Sequence, residues 1–254
     1  MVAEEFSSGK SLFHGFDPRF KIIVAIVFST IVAVADRMEV LLLALIFSLC
    51  CVTLARLPMR KLLRRLLLVN GFILLLWILL PFTYPGKTLF SLGPLGASRE
   101  GIQYALTITI KSNAIILACS ALLGTTPTFT LVHALRHLSI PDKLIHLLFF
   151  AYRYIHVIYL EYIRLLNAMK VRCFRPRSDL HTYKTYAQLA GMMLIKSFDR
   201  SERVYDAMLC RGFKGKFWVL DHFSMNRRDL IAFIIMLITI MGLGFLQWGK
   251  GLFS

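Results

Sequence analysis

Apolar and polar residues alternate along this chain in long blocks. Ile22–Ala35, Val40–Ala55, Leu66–Phe82, Ile102–Leu123 and Asp229–Trp248 are almost wholly apolar. A helix crossing a bilayer needs about 20 residues, so these blocks predict five membrane spans. The first is short and must borrow from Phe20 and its flanks. Asp36-Arg37 reads as a tight polar turn between the first two spans. Arg56-Leu57-Pro58-Met59-Arg60-Lys61-Leu62-Leu63-Arg64-Arg65 carries five cations and no acid. The third span ends at Pro81, and the closely spaced prolines and glycines of Thr83–Arg99 predict an external loop. Trp248 falls where an interfacial tryptophan belongs.

The stretch from Gly124 to Arg228 is too charged to be all membrane. Thr125-Thr126-Pro127 breaks the fourth helix, Thr128–Leu138 reads as a short amphipathic helix, and Ile140-Pro141-Asp142 starts the next. Leu144–Val171 has a helical pattern rich in aromatics that includes Arg153, Glu161 and Arg164. At 1.5 Å per residue it reaches roughly 40 Å. Asp179 is placed to cap a second long pattern that runs to Cys210. Near the start of the chain, Asp17 is placed to cap the first helix, with Pro18 in its first turn. The expected fold is an all-α integral membrane protein. About five transmembrane helices are joined by a cytoplasmic domain of long helices between spans four and five. The boundaries are residues 1–123, 124–228 and 229–254. Two helices of such length can cross, each presenting its last turn toward the same face.

Charge orients this arrangement. The 254 residues are 57% hydrophobic, with a formal net charge of +16 and a mean hydropathy of +0.66. Segments 1–21, 56–65 and 124–228 hold 25 of the 30 lysines and arginines. Arg37, Lys87, Arg99 and Lys250 fall in the alternate segments, and Lys111 lies inside the fourth span. Cytoplasmic loops carry the excess of Lys and Arg, which predicts a cytoplasmic N-terminus and an outside C-terminus. Nucleic acid is the competing reason for such charge, and clustering of the cations between apolar spans argues against it. The five cysteines lack metal or redox spacing. The first apolar run starts only at Ile22 and no small-residue cleavage site follows it, so no secretory signal peptide is expected.

Within the basic region a short phrase occurs twice. Ala168-Met169-Lys170-Val171-Arg172-Cys173-Phe174 returns 39 residues later as Ala207-Met208-Leu209-Cys210-Arg211-Gly212-Phe213. Each phrase closes a long helical pattern and is followed by breakers: Pro176 after the first, Gly212 and Gly215 within and after the second. Two helices are therefore expected to end by displaying an arginine, and two copies of one device suggest two copies of a receptor.

Other polar residues read as structure more readily than as chemistry. His133 and His137 share a helical face at a spacing that suits a metal, but no third ligand accompanies them. Tyr152-Arg153-Tyr154 with His156 suggests a cation flanked by aromatics; a packed helix with snorkelling side chains explains it as well. Asp199-Arg200-Ser201-Glu202-Arg203 suits stabilising pairs three or four residues apart better than a catalytic dyad. There is no phosphate loop, nucleophile elbow or zincin motif, so no enzyme site is expected. Lys111, beside Ser112 and Asn113, is the intramembrane polar candidate. A cation at that depth costs at least about 2.5–3.5 kcal/mol unless it is paired or snorkels.

The chain resembles the transmembrane T component of energy-coupling factor transporters, in the cobalt and nickel branch often called CbiQ. The resemblance spans nearly the whole chain. It is carried by Phe16-Asp17-Pro18-Arg19-Phe20-Lys21, Thr125-Thr126-Pro127, Tyr152-Arg153-Tyr154, Glu161 to Arg164, and most specifically the run from Ser201 to Gly215. It implies that two coupling helices each end in an Ala-Arg-Gly-like triplet whose arginine enters an acidic groove on one of two cytoplasmic ABC ATPase subunits. The corresponding triplets are Val171-Arg172-Cys173, which departs at both flanks, and Cys210-Arg211-Gly212. It also implies a separate membrane S component that binds cobalt or nickel, ATP and Mg on the partner subunits, no cofactor or metal on this chain, and a multi-pass place in a prokaryotic cell membrane. Arginine suits the docking role because it stays charged and forks onto carboxylates.

Two other classes compete. A self-contained secondary carrier should show inverted repeats with polar residues at the midplane, and only one intramembrane cation is present. A membrane-anchored scaffold needs no matched arginines. Selection among cobalt, nickel and a vitamin is expected to reside in the partner.

Overall fold

The computed structural model describes Phe13 and residues 15–84, 88–92, 95–136, 140–215 and 227–248; the side chains of residues 88–97 and of Arg228 are not described. His137 and Leu138 therefore lie outside the described residues. The helices are α1 (Pro18–Val34), α2 (Met38–Ala55), α3 (Met59–Thr83), α4 (Arg99–Leu122), α5 (Thr128–Arg136), α6 (Asp142–Val171), α7 (Leu180–Cys210) and α8 (Arg227–Trp248). Between α3 and α4 lies a small antiparallel hairpin, β1 (Thr88–Leu92) and β2 (Leu95–Ser98), with Leu92 opposite Leu95 and Thr88 opposite Ser98. The expected loop is thus partly a hairpin, because residues 88–92 and 95–98 pair along the backbone. All other elements among the described residues are helices.

The chain forms two compact units. α1–α4, α8 and most of α5 make one; α6 and α7 belong to the other.

In the first unit the local signals act as the sequence predicts. Asp17 caps α1, its carboxylate accepting from the Arg19 N–H at 3.0 Å, with Pro18 in the first turn. Small residues let the helices approach closely: Ala44 and Ser48 on α2, and Ala114, Ala118 and Ala121 on α4, are fully buried. Such small-residue seams are how helices pack in lipid, where apolar contact alone does not drive association. Phe28, Val24 and Val32 of α1 fill the centre, and Ile240 and Leu243 of α8 complete the cluster. The outer surface is apolar: Leu67, Leu68, Phe72, Leu74 and Ile78 of α3 are all exposed, as on a lipid-facing helix.

At the start of α4 the chain comes so close to the end of α3 that only glycine fits. A Cβ on Gly101 would stand 2.7 Å from the Leu80 carbonyl oxygen and 2.9 Å from the Pro81 Cα. Toward the same end of the bundle, Arg37 donates to the Leu246 carbonyl at 3.2 Å, so a cation meets an open carbonyl at the end of α8.

Among the described residues, five helices are long and apolar enough to cross a membrane: α2, α3, α4, α6 and the Asp229–Trp248 part of α8. Four of them match expected spans. α1, the expected first span, has only 17 residues, while α6, expected outside the membrane, reaches the required length and apolarity. α3 also begins earlier than its apolar run, taking in the cations from Arg60 to Arg65.

Candidate functional site

The repeated phrase has a direct structural meaning. α6 ends with Arg172 in the C-cap position; the Cys173 N–H donates to the Lys170 carbonyl at 3.0 Å and the Phe174 N–H to the Met169 carbonyl at 3.1 Å. α7 ends with Arg211 in the C-cap position; the Gly212 N–H donates to the Leu209 carbonyl at 2.9 Å and the Phe213 N–H to the Met208 carbonyl at 3.1 Å. Both are Schellman motifs, in which the residue after the cap turns left-handed and the next donates back across the last turn. That motif couples an apolar residue in the last turn to one two places beyond the cap. In the phrase these positions hold Met169 and Phe174, and Met208 and Phe213.

The left-handed residues are Cys173, with φ of 59°, and Gly212, with φ of 79°. Glycine accepts this geometry freely, whereas a cysteine is strained by it. Arg172 and Arg211 are exposed, while Phe174 and Phe213 are half-buried. Phe174 meets the edge of Tyr186 at 6.0 Å between ring centroids. The phenylalanine tucks in and the arginine stays out, on a helix end whose open carbonyls favour a cation.

α6 and α7 run antiparallel, with Phe174 against Tyr186, Glu161 against Lys196, and Phe150 and Met208 lining one trough. Glu161 pairs with Lys196 across the helices and, at 3.4 Å, with Arg164 on its own helix. Arg172 lies about 16 Å beyond Glu161 along α6, and Arg211 about 22 Å beyond Lys196 along α7, in the opposite direction, at 1.5 Å per residue. The matched arginines therefore stand at opposite ends of the pair, not side by side, far enough apart to meet separate partner surfaces. Asp179 occupies the N-cap of α7 without a side-chain cap bond; instead Thr182 accepts from the Arg177 N–H at 3.1 Å.

A second polar centre was not foreseen from the sequence. Lys21, on α1, is completely buried. Its Nζ donates to Thr126 Oγ1 at 2.7 Å and to Thr125 Oγ1 at 3.4 Å. Asp17 and Asp229 stand near enough to attract the ammonium. Thr125 in turn donates to the Ala121 carbonyl at 3.0 Å. The Phe16-to-Lys21 phrase and the Thr125-Thr126-Pro127 phrase, far apart in sequence, are thus one structural joint. A buried ammonium persists only where it is hydrogen-bonded and near opposite charge.

Lys111 is paired within the chain. Its Nζ donates to Asp36 at 3.0 Å and to the Ala33 carbonyl at 3.1 Å, at the turn between α1 and α2. Asp36 is well exposed and the Lys111 side chain largely covered, so the ammonium reaches from mid-helix to a polar turn. Nearby, Asn70 and Asn113 exchange amide hydrogen bonds at 3.2 and 3.0 Å, and Trp77 Nε1 donates to Thr109 Oγ1 at 2.9 Å. These contacts fasten α3 to α4, as polar groups do between membrane helices.

Of the remaining candidates, Arg153 sits over the Tyr154 ring at 5.9 Å, and His133 is half-buried on α5. Asp199 and Glu202 are exposed and enter no salt bridge among the described residues, so the expected intrahelical pairs do not form. No group of three or more His, Cys, Asp or Glu side chains able to hold a metal occurs among the described residues.

A family model described as CbiQ, cobalt transport protein, matches residues 9–219. The chain belongs to this family. It is also similar over nearly its full length to proteins named energy-coupling factor transporter transmembrane protein EcfT. The one from Brevibacillus brevis is 26% identical, over 94% of this chain and 96% of the relative. That from Lactococcus lactis subsp. cremoris is 26% identical over 98% of each, and that from Bacillus subtilis 26% identical over 85% of each. Family and relatives together make the chain a multi-pass transmembrane T component of the energy-coupling factor type. The matched region contains the Lys21 joint and both arginine caps.

Proposed function

We propose that the chain is the coupling subunit of an energy-coupling factor importer for cobalt or nickel ions. Arg172 and Arg211 each enter an acidic groove on one of two cytoplasmic ABC ATPase subunits, which bind ATP and Mg. A separate membrane S component binds the ion. The observation that carries this reading is the same exposed cap arginine, on the same backbone motif, at the two opposite ends of one helix pair. Closure of two ATPases would then move both ends of one rigid element, which tilts the S component.

Apolarity alone would allow α6 to cross the bilayer. Arg153, His156, Glu161 and Arg164 along its length, and its pairing with the more polar α7, favour a helix lying at the cytoplasmic side. The cation distribution favours a cytoplasmic N-terminus and an outside C-terminus. The choice of cobalt or nickel rests on the family's description as cobalt transport proteins.

The test is co-purification of the ATPase and S subunits with this chain, together with uptake of radiolabelled cobalt and nickel. Energised uptake that needs all partners is expected. Uptake by this chain alone would overturn the reading in favour of a self-contained carrier.

A further inference from the structure

Beside the α6–α7 crossing lies a groove of about 980 Å³ whose wall includes Arg153, Arg200, Arg203, Arg211 and Lys214 and no carboxylate. Among the described residues none of these cations enters a salt bridge. The groove runs into an apolar trough of about 460 Å³, walled mainly by Phe150, Tyr154, Ile158, Val204, Tyr205 and Met208. Phe150, Tyr154, Arg200, Val204 and Met208 border both spaces, so the two are continuous. A smaller recess beyond Ile158 and Arg200 is lined by Glu161 and Lys196. Glu161 in that recess is already held by Lys196 and Arg164.

Five cations facing one cleft repel one another unless an anion joins them. The cleft is cationic at one end and apolar at the other, so its occupant is amphipathic, with a compact anionic head and an apolar body. α6 is itself apolar enough to contact a membrane, and basic pockets beside membrane helices are suited to anionic headgroups. We propose that this cleft binds one anionic phospholipid. Its phosphate is held by Arg153, Arg200 and Arg203, and its acyl chain lies along Phe150, Tyr154 and Ile158. An acidic protein segment would satisfy the cations but leave the trough unfilled. The site goes beyond the ATPase reading: Arg211 and Lys214 also line it, but the lipid is held by other residues and no partner subunit is needed to form the cleft.

The full-length chain, purified without partners, is titrated in detergent with phosphatidylglycerol, phosphatidylcholine and glycerol 3-phosphate, and bound species are counted by native mass spectrometry. Phosphatidylglycerol is expected to be retained at least about tenfold over phosphatidylcholine. A cation near a membrane surface contributes enough to change affinity about fivefold. Arg200→Gln with Arg203→Gln should therefore weaken retention by about 25-fold, while the same positions changed to lysine should keep most of it. Ile158→Asn should weaken phosphatidylglycerol binding through the trough. Arg175→Gln with Arg177→Gln, away from the cleft, should change nothing.

Equal retention of the two lipids, or indifference to the Arg200/Arg203 pair, would overturn the proposal. Glycerol 3-phosphate competing as well as the lipid would make this a free phosphate site. Displacement of phosphatidylglycerol by an oligoglutamate peptide at stoichiometric concentration would make it a protein-docking groove. ATPase co-purification reads the Arg172 and Arg211 caps separately, so either idea can fail alone.

Discussion

Arg172 and Arg211 occupy one and the same place on two different helices: the C-cap, followed by a left-handed residue and then by a half-buried phenylalanine. A matched pair of this kind makes matched variants informative. If each arginine docks in an acidic groove, removing one partner of such a charge pair costs about 2–5 kcal/mol, much of it from carboxylates left unpaired. ATPase pull-down and ion uptake should therefore fall strongly for Arg172→Ala and Arg211→Ala. They should fall further for the glutamate variants and less for lysine, which cannot reproduce the fork. Arg175 and Arg177 lie outside the motif, and their alanine variants should leave both readouts near wild type. Normal pull-down and uptake by the Arg172→Glu, Arg211→Glu double variant would remove the coupling role from these helix ends.

The two caps differ in one respect that stability should report. Cys173 holds a left-handed backbone that glycine adopts without strain, while Gly212 already uses glycine there. A Cβ on Gly212 would meet nothing within 4 Å, so any penalty at that position is conformational. Cys173→Gly should stabilise the α6 end and Gly212→Ala should destabilise the α7 end, each by about 1 kcal/mol. Hydrogen exchange at Phe174 and Phe213 N–H, the groups that close the motif, would locate the effect. Faster exchange at Phe174 in the Cys173→Gly variant would contradict it.

Both helix ends were legible in the sequence because the Schellman motif is local. Its residues lie within one turn, and its Met, Arg and Phe recur in register. The extents of α6 and α7 were legible for the same reason. The Lys21 joint was not, since its partners lie 104 and 105 residues away. Neither was the pairing of Lys111 with Asp36, 75 residues apart, although the cost of a mid-span ammonium called for some such partner. The cationic cleft was hidden because Arg153 joins Arg200 and Arg203 only once α6 and α7 lie antiparallel. The hairpin before α4 is not legible because closely spaced glycines and prolines signal a loop but not the backbone pairing within it.

The Lys21 joint predicts that Thr126 matters more to stability than a threonine of α4 whose hydrogen bond is exposed. Thr126 makes the shorter bond to the buried ammonium, and Thr125 also donates to the Ala121 and Leu122 carbonyls. Thr126→Val removes an acceptor while keeping the shape, leaving a buried donor poorly satisfied at a cost of about 1–3 kcal/mol. Thr107→Val alters only an exposed bond to the Gln103 carbonyl and should stay within about 0.5 kcal/mol. Thermal unfolding in detergent should separate the two. Equal midpoints would show that Lys21 does not depend on Thr126.

The Lys111–Asp36 pair should be weaker than its depth in α4 suggests. Asp36 is 83% exposed, so solvent screens the attraction, and pairs in that setting typically contribute about 0–1 kcal/mol. A double-mutant cycle with Lys111→Met and Asp36→Asn should give a coupling below about 1 kcal/mol, because the lysine keeps the Ala33 carbonyl when the carboxylate is gone. Uptake and retention of partner subunits should then change little in either single variant. A coupling of several kcal/mol would instead place the turn between α1 and α2 inside the low-dielectric core. A membrane-embedded ion pair would then join α1 to α4, and the orientation inferred from the cation distribution would need the outer boundary of the membrane moved past Asp36. Cysteine labelling at position 36, in a chain whose five native cysteines are replaced by serine, decides between these cases: reaction with a membrane-impermeant maleimide from outside intact cells is expected, and protection from both sides would sink the exposed-turn account.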